Sequence, residues 1–332
     1  MADWRLQLTH DPVPALLSAG DEALTFFVRR DLSGEDAGTV ESLWALPDAK
    51  RILRAQLPDG SWRKRGPAKH AAINDALIET WRQLRVLVAQ YGFARENPLA
   101  AAAAEYLFSC QTKEGDIRGM LANQYATYYT GAILATLIEA GYADDVRVSR
   151  GLEWLLSMRQ TDGAWSVPMI TFTLDRETQY RLASEFAEPL QPDRSKPFSH
   201  NATGMVLRAF AAHPTYRRSQ EARHAAGLLA SRFFQPDAYT SYHDAGYWVR
   251  FEYPFWWNNL VAALDSVTLI GLSREEEPVQ RALQWLREHQ EADGLWKVSY
   301  KPHPERADAA RARTMRPWIG LAICRVYARL YA

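Results

Sequence analysis

Cysteine is scarce in this chain, whose 332 residues include only Cys110 and Cys324. Two cysteines cannot form the disulfide framework of a small secreted protein, and they cannot form a cysteine-rich zinc site. Low cysteine content is typical of proteins in a reducing compartment. The composition therefore favours a cytoplasmic location.

The chain also lacks an excess of either charge, because 39 Lys and Arg face 39 Asp and Glu. A nucleic-acid-binding protein held by phosphate contacts needs a net basic face, so we expect no nucleic-acid partner. No apolar run reaches the roughly 18 residues of a membrane-spanning helix. The charged residues Asp3 and Arg5 stand where a signal peptide is apolar. We expect no transmembrane segment, while peripheral membrane contact and the oligomeric state stay open.

Aromatic residues, by contrast, are abundant: the chain has 12 Trp, 15 Tyr and 12 Phe. Several of them belong to a repeated turn, in which a helical stretch ends in Gln and is followed by Gly and, in most copies, by Trp. The four clear copies are 56–62, 111–117, 160–165 and 290–296. The gap before the last copy has room for one more repeat, and we expect its degenerate turn at 232–237.

Between these turns, apolar residues recur at helical spacing, and the alternation typical of strands is nowhere convincing. Each repeat therefore predicts a hairpin of one inner and one outer helix. The predicted inner helices are 14–30, 72–92, 125–140, 199–213, 254–271 and 314–331. The predicted outer helices are 97–110, 145–159, 218–234 and 276–289.

Hairpins repeated at a step of 48–55 residues must stack as an open solenoid or close as a ring. We predict an all-α fold of the α/α-toroid class, a closed ring of about six helical hairpins. The whole chain, 1–332, forms one domain in this prediction. Residues 166–198 are predicted to form an inserted loop over the barrel mouth.

The repeated Gln and Trp have a structural role in such a fold. A Gln at a helix C-terminus can offer its amide to carbonyl groups that lack partners and to free N–H groups of the next helix, while a stacked indole shields these bonds from water. We therefore expect each turn to clamp an outer helix to the inner helix that follows. Four similar copies cannot all be one active site, so Trp62, Trp165 and Trp296 are predicted to be structural.

In a closed ring the inner helices run parallel, so the segments that precede them should meet at one mouth. Cations and helix N-termini at this mouth predict an anion site, and aromatic side chains beneath it predict an apolar shaft. Such a site suits a small amphiphilic ligand with an anionic head, such as an isoprenyl diphosphate. The residues predicted to bind it are Arg118, Tyr129, Arg250, Trp256, Trp257, Asn258, Arg316 and Trp318. In the alternative interpretation the arginines form local salt bridges and the aromatic residues are core.

Three residues are candidates for catalysis. Asp244 can act as a carboxylic acid that is kept protonated near an apolar cavity, as a cyclisation started by proton transfer requires. His243 or His200 can serve as its orienting partner. A loop-capping or hydrogen-bonding role fits each of the three as well as catalysis does.

The Gln–Asp–Gly–Trp turns resemble the QW repeats of squalene–hopene and oxidosqualene cyclases and, more broadly, the α/α toroids that include protein prenyltransferase β subunits. The resemblance covers residues from about 50 to 300. It implies a terpene cyclase-like toroid, and the chain is long enough for a single one. The fold implies less about the chemistry, because one fold hosts many reactions.

The chain departs from these families at their functional motifs. The Asp-x-Asp-Asp acid motif of the cyclases is absent, which argues against sterol or hopanoid formation. The prenyltransferase subunits bind zinc through Asp, Cys and His, and neither Cys110 nor Cys324 has an Asp two positions away. We therefore expect no metal and no cofactor.

Three functional hypotheses remain. The first is an isoprenoid-handling enzyme, such as a proton-initiated terpene cyclase or lyase that acts on a small prenyl diphosphate. The second is a toroid without catalytic activity that binds a ligand or a protein partner. The third is an α/α-barrel enzyme that acts on an anionic sugar.

Overall fold

The computed structural model of the protein describes residues 3–64, 66, 70–239, 244–301 and 309–331. Contacts divide the chain into two compact units. The middle unit is Glu41–Ala225, and the terminal unit combines Met1–Val40 with Ala226–Ala332. The prediction of one domain with a loop over a mouth stays a prediction.

Helices form almost all of the regular structure that is described. In chain order they are α1 (Val13–Leu17), α2 (Glu22–Val28), α3 (Pro47–Leu53), α4 (Asp75–Tyr91), α5 (Pro98–Ser109), α6 (Thr127–Leu137), α7 (Val146–Ser157), α8 (Arg176–Ser184), α9 (His200–Ala212), α10 (Gln220–Ser231), α11 (Leu260–Ile270), α12 (Glu277–Glu288) and α13 (Ala309–Tyr331). A single short strand, β1 (Met120–Asn123), is assigned within the described ranges. None of the described helices combines the length and the apolar character needed to cross a bilayer.

The all-α prediction is confirmed, and the helices alternate as the repeats indicate. The predicted inner helices correspond to α4, α6, α9, α11 and α13, and the predicted outer helices correspond to α5, α7, α10 and α12. The first predicted inner helix, 14–30, is interrupted, because Gly20 adopts a left-handed φ of 73° between α1 and α2. The inserted segment contains a helix, α8, that the sequence pattern did not indicate.

Short polar side chains explain where most of these helices begin. Asn74 accepts a hydrogen bond from the Leu77 N–H at the start of α4, and Asn259 accepts one from the Ala262 N–H at the start of α11. Asn97, Asp145, Asp175 and Ser199 cap α5, α7, α8 and α9 in the same way. These caps satisfy N–H groups that have no partner within their helix.

In the first two clear turns the Gln joins its own turn to the next outer helix, whereas Gln160 and Gln290 bond to loop carbonyls. The Gln56 Nε2 donates to the carbonyl of Gly60 in its own turn and to that of Leu99 in the first turn of α5, both at 2.9 Å. Gln111 bridges Gly115 and Arg147 of α7 in the same way. The expected clamp to the following inner helix is therefore wrong in its partner. The Gln amide bonds to the following outer helix because a carbonyl in the first turn of that helix lies within hydrogen-bond distance of the Gln side chain.

The tryptophans of the turns form hydrogen bonds to the C-terminal end of the preceding helix. Each indole Nε1–H donates to the carbonyl of the residue ten positions earlier, near the end of that helix. The pairs are Trp62 with Ile52, Trp165 with Leu155 and Trp296 with Leu286, at 2.9, 2.6 and 2.7 Å. All three side chains are buried. Each indole thereby adds a hydrogen bond to a carbonyl at the C-terminal end of the helix, where regular intrahelical bonds run out.

The inner helices are attached to the turns by threonine hydroxyls, which the sequence pattern did not reveal. A threonine Oγ1 on the inner helix accepts a hydrogen bond from a backbone N–H just after the turn. The pairs are Thr80 with Trp62, Thr130 with Ile117 and Thr203 with Trp165, at 3.0, 3.1 and 3.0 Å. Each turn is therefore bonded to an outer and to an inner helix.

The inner helices α6 and α9 approach each other closely at Gly131. A Cβ atom on this glycine would lie 2.5 Å from the Cα of Val206, a separation that no side chain tolerates. Most residues of both helices are buried, which explains why their sequences are apolar on nearly every face.

We expect Gly115→Ala to destabilise the fold strongly. Gly115 has a φ of +116°, and an added Cβ would lie 2.6 Å from the Arg150 carbonyl oxygen of α7. Backbone strain and overpacking together should lower the free energy of unfolding by about 3 kcal/mol. Gly227→Ala is the matched control, because a Cβ there meets nothing within 4 Å. Chemical denaturation measures both variants, and equal stability would contradict the close packing of the turn.

Candidate functional site

In the middle unit, the inserted segment is fastened to the chain that precedes α6. The Gln124 side chain is buried, donates to the carbonyls of Ala187 and Glu188 and accepts from the Leu190 N–H at 3.0 Å. Asn123 accepts from the Ala187 N–H at 2.9 Å. These bonds hold residues 187–190 of the inserted segment. Gln160 donates to the carbonyls of residues 193 and 196 and so holds the end of the segment.

Arg118 lies in the same region and is surrounded by carboxylates. Its guanidinium donates to both Asp116 oxygens, at 2.8 and 3.0 Å, and to Glu114 at 2.9 Å. Burial opposes the charge, but these acids outweigh it and raise the pKa of Arg118. The guanidinium also lies over the Tyr125 ring, 4.7 Å from its centroid. Arg118 thus forms the local salt bridge of the alternative interpretation, and its contact with a substrate stays a prediction.

Tyr129 belongs to an aromatic cluster between α4 and α6. Its ring meets Trp81 edge to face at a centroid distance of 5.8 Å and lies 4.2 Å from the ring of Tyr128. Trp81 is fully buried and donates to Thr136 Oγ1 at 3.1 Å. The guanidinium of Arg85 lies 5.3 Å from the Trp81 ring. Only Tyr129 is partly exposed among the three aromatic rings, so it is the one that a ligand can reach.

His200 is the first residue of α9 and is almost completely buried. It follows the cap residue Ser199, whose N–H donates to the Trp165 carbonyl at 2.9 Å. The third turn therefore positions the start of α9. The hydroxyl of Ser166, the residue after Trp165, is buried and has no hydrogen-bond partner within the described ranges. His200 stays a catalytic prediction whose buried position is now defined.

In the terminal unit, four partly exposed aromatic side chains follow one another closely. They form the aromatic loop, residues 253–257, which contains Tyr253, Phe255, Trp256 and Trp257. The loop is held by Glu252, whose Oε1 accepts from the N–H groups of Trp256 and Trp257 at 2.9 and 3.0 Å. This explains why α11 begins at Leu260 and not at the predicted 254, since the loop backbone donates to a side chain.

The predicted substrate-binding residues Asn258 and Trp318 are both buried. Asn258 immediately precedes the cap residue Asn259 of α11. Trp318, which is 2% exposed, stacks on Tyr253 at a centroid distance of 5.5 Å with the planes 4° apart. Its Nε1 donates to Asp21 at 2.9 Å. Tyr253 therefore covers Trp318, and Tyr253 is the partly exposed ring of this pair.

Sequence reasoning missed a polar group behind this stack. The Arg325 Nε and Nη2 donate to one oxygen of Asp31, at 2.8 and 2.5 Å. Burial opposes the charge of Arg325, but Tyr253 and Asp31 outweigh it and raise its pKa. One signal existed in the sequence: Trp318 and Arg325 are seven residues apart and share a helix face.

The remaining predicted arginines lie near the last turn. Arg316 donates to both oxygens of Asp293, at 2.5 and 2.7 Å, and to the Trp296 carbonyl at 3.0 Å. Arg250 is exposed, and its backbone pairs with Ser299 in an antiparallel bridge. Contact of either residue with a substrate stays a prediction. At Arg316, an anionic ligand would have to compete with Asp293.

Asp244 caps a short helical turn and forms an ion pair. It accepts from the Gly246 N–H at 2.8 Å, and Lys301 Nζ lies 3.1 Å from its second oxygen. Its side chain is 62% exposed. The predicted capping role is present, and an ion pair with lysine favours the charged carboxylate over the protonated acid. His243 lies outside the described residues.

No three His, Cys, Asp or Glu side chains come together as metal ligands in the ranges that the structure covers. The carboxylate of Asp265 on α11 accepts a hydrogen bond from Arg329 Nη2 at 2.8 Å. Arg329 Nη1 also donates to Thr268 Oγ1 at 2.6 Å. This carboxylate on an inner helix is therefore compensated by a salt bridge.

Comparisons with known proteins agree with the repeat pattern. A family model described as the squalene-hopene cyclase C-terminal domain matches residues 145–325, more than half of the chain. This match and the helical hairpins confirm the resemblance to the cyclases and the α/α-toroid fold class.

Two curated relatives share short regions with the chain. A squalene–hopene cyclase of Bradyrhizobium diazoefficiens is 28% identical over 133 residues, which is 37% of this chain and 19% of the relative. A probable squalene–hopene cyclase of Sinorhizobium fredii is 26% identical over 188 residues, 52% of this chain and 28% of the relative. The matched regions thus span only 19% and 28% of these relatives.

Solved structures are more distant in sequence. A type II terpene cyclase from Scytonema, in complex with geranylgeranyl dihydroxybenzoate, is 15% identical. The likeness covers 94% of this chain and 87% of that one, with a TM-score of 0.48. A protein from Actinoplanes is 16% identical, with a TM-score of 0.42, over 94% of this chain and 89% of that one.

We expect the Asp293–Arg316 pair to make stability depend on pH. The hydrogen bond from Arg316 is the main reason why the pKa of Asp293 lies below its ordinary value. Its stabilising contribution is therefore present at neutral pH and is lost as the pH falls below about 4. Asp293→Asn should lower the Tm at pH 7 and reduce the further loss between pH 4 and 2.

Thermal unfolding followed by circular dichroism at pH 7, 4, 3 and 2 measures this difference. Glu41→Gln is the control, because the Glu41 side chain is exposed and forms no ion pair within the described ranges. If Asp293→Asn and Glu41→Gln lose stability equally between pH 4 and 2, Asp293 does not contribute in this way.

Proposed function

Because the chain belongs to the squalene-hopene cyclase C-terminal domain family, we propose that it is a terpene cyclase-like enzyme that acts on a small isoprenoid substrate. The aromatic loop carries this proposal. Four aromatic side chains within five residues are partly exposed, although aromatic side chains of this size are usually buried in a globular protein. An exposed aromatic surface of this kind is typical of a site for an apolar ligand.

The aromatic loop suits an isoprenoid for two physical reasons. The exposed parts of Trp256 and Trp257 are apolar, as a prenyl chain is, and the π-systems of aromatic rings stabilise positive charge, such as that of a carbocation. Glu252 fixes the backbone of both residues before any ligand binds. A site that is already ordered loses less conformational entropy on binding.

The chemistry that we propose is a cyclisation or elimination started by proton transfer. Asp244, His243 and His200 are its proposed catalytic residues. The burial of His200 at the start of α9 supports a role in proton transfer, because a buried imidazole is shielded from competition by water. The ion pair of Asp244 with Lys301 supports a role for Asp244 as a charged hydrogen-bond acceptor more than as an acid.

The other predicted substrate-binding residues are kept as proposals within each unit. In the middle unit they are Arg118 and Tyr129, and in the terminal unit they are Arg250, Asn258, Arg316 and Trp318. Arg250 is the most exposed of the three arginines. Arg118 and Arg316 already contact carboxylates, so an anionic head would have to displace a partner from either one.

A second candidate function is binding of an isoprenoid without turnover. Two observations favour it. Asp244 forms an ion pair with Lys301, and the chain lacks the Asp-x-Asp-Asp acid motif of the cyclases. Both functions require the same aromatic loop. They differ only in whether the bound ligand is converted.

The experiment that separates them uses the purified protein with farnesyl diphosphate, geranylgeranyl diphosphate and squalene in turn. Gas chromatography with mass spectrometry detects cyclised or eliminated products, and calorimetry measures binding. Product formation supports the cyclase-like enzyme, and binding without product supports the second function. If no isoprenoid binds, both functions are wrong. Mass spectrometry of small molecules extracted from the purified protein provides an independent check.

We expect Trp256→Ala and Trp257→Ala each to weaken binding of farnesyl diphosphate by about tenfold. The loss corresponds to one aromatic contact of about 1–2 kcal/mol with the ligand. Leu6→Ala is the control for a general loss of apolar surface, since Leu6 is 77% exposed and lies away from this loop in the sequence. Calorimetric titration measures the three variants. Unchanged affinity in both tryptophan variants would show that the aromatic loop does not form the site.

A further inference from the structure

We propose that a cavity at the C-terminal ends of α11 and α13 binds a small organic monocarboxylate, whose charged group pairs with Arg274. The cavity has a volume of about 450 Å³, within the range of roughly 300–1,000 Å³ that is typical of small-molecule sites. It is lined by Thr268, Leu272, Ser273, Arg274, Glu275, Arg329, Leu330 and Tyr331. The inference does not depend on the proposed function.

This cavity and the aromatic loop lie at opposite ends of the same two helices. The 11 residues of α11 begin just after the aromatic loop, rise about 16 Å along the helix axis and end at the cavity. On α13, Trp318 stacks on Tyr253 of the loop, whereas Arg329 lines the cavity. A ligand in the cavity therefore leaves the surface of the aromatic loop uncovered.

Arg274 is a cation that a ligand in the cavity can reach. Its guanidinium lies over the Tyr331 ring, 4.7 Å from the centroid, and this ring stacks on Tyr327 at 6.1 Å. Its Nε donates to Glu275 at 3.1 Å, and its two Nη groups have no hydrogen-bond partner among the residues that the structure describes. A positioned guanidinium with unused N–H groups suits the two oxygens of a carboxylate.

Arg329 provides a second positive charge at the cavity wall. Its Nη1 donates to Thr268 Oγ1 at 2.6 Å, and its Nη2 donates to Asp265 at 2.8 Å. These bonds fix the guanidinium, and Asp265 compensates most of its charge. Arg329 therefore positions the wall, while Arg274 offers the donors.

The charges around the cavity favour a ligand with one negative charge. Two arginines face the carboxylates of Asp265 and Glu275, and the C-terminal ends of helices add partial negative charge. The Glu275 side chain is 75% exposed, so its ion pair with Arg274 is weak. A ligand carboxylate can replace Glu275 at Arg274 without changing the charge balance there. A dianion brings one negative charge too many.

The apolar part of the lining defines the rest of the ligand. Leu272 is 3% exposed, and Leu330 and the Tyr331 ring are half-buried. An alkyl chain or a ring that covers these groups removes apolar surface from water. The chemistry of the cavity therefore matches a short fatty acid or an aromatic acid.

The test uses hexanoate, 1-hexanol and inorganic phosphate as probes, titrated into the protein and followed by ligand-observed NMR. Hexanol has the apolar chain without the charge, and phosphate has charge without the chain. We expect hexanoate to bind at least tenfold more tightly than either. We expect Arg274→Gln to lower the affinity for hexanoate tenfold or more. The Arg274 side chain is 44% exposed, so the Tm of this variant should be unchanged.

Arg281→Gln is the matched control, because Arg281 is also an exposed arginine beside a glutamate, Glu277, and does not line the cavity. It should keep the affinity for hexanoate, and so should Trp256→Ala in the aromatic loop. If the unchanged protein does not bind hexanoate, or if Arg274→Gln binds it as tightly, the proposal is wrong. An equal loss in Arg281→Gln, or a loss in Trp256→Ala, would also overturn it. Binding of isoprenoids bears on the proposed function alone.

A second variant tests the apolar wall. Leu330→Ser keeps the arginines and removes an apolar contact. We expect it to weaken the binding of hexanoate about fivefold and to leave the binding of acetate unchanged, since acetate has almost no apolar part. An equal loss for both acids would show that Leu330 does not contact the chain and would overturn this part of the proposal.

Discussion

The hydrogen bonds of the repeat glutamines are the constraint on which the rest of the structure depends. One amide group donates to its own turn and to the first turn of the next outer helix, as Gln56 and Gln111 show. Each bond adds a side-chain donor to a backbone carbonyl of the turn or of the next outer helix, and three of these four bonds are partly buried. The same turn bonds to an inner-helix threonine. Successive hairpins are therefore set at fixed distances.

This scaffold decides which charged groups can meet a ligand. The segments that lead into the inner helices contain arginines, but folding places acids beside them, as with Arg118 in the middle unit and Arg316 in the terminal unit. Local pairing is favoured because it compensates charges that are partly removed from water. The aromatic side chains of residues 253–257 are partly exposed. The proposed binding of an isoprenoid in the terminal unit therefore rests on aromatic surface more than on positive charge.

The helical hairpins and their order could be predicted from the sequence, because helix periodicity and turn residues act over fewer than twenty positions. The structural role of Trp62, Trp165 and Trp296 followed from repetition in the same way. The partner of the repeat Gln could not be predicted, since both the inner and the outer helix offer suitable backbone groups. The pair of Arg325 and Asp31 was also hidden, because its members lie far apart in the chain and neither belongs to a motif.

The sequence by itself determined the class of the fold, the positions of the turns and the aromatic character of the segment before α11. These are local properties, set by side-chain spacing and by the conformations that Gly, Asn and Pro allow. Only the tertiary structure decided that Arg118 is paired with carboxylates and that Trp318 is buried and stacked on Tyr253. Those outcomes depend on which distant side chains come within hydrogen-bond distance, and pairing at that range is determined by packing in three dimensions.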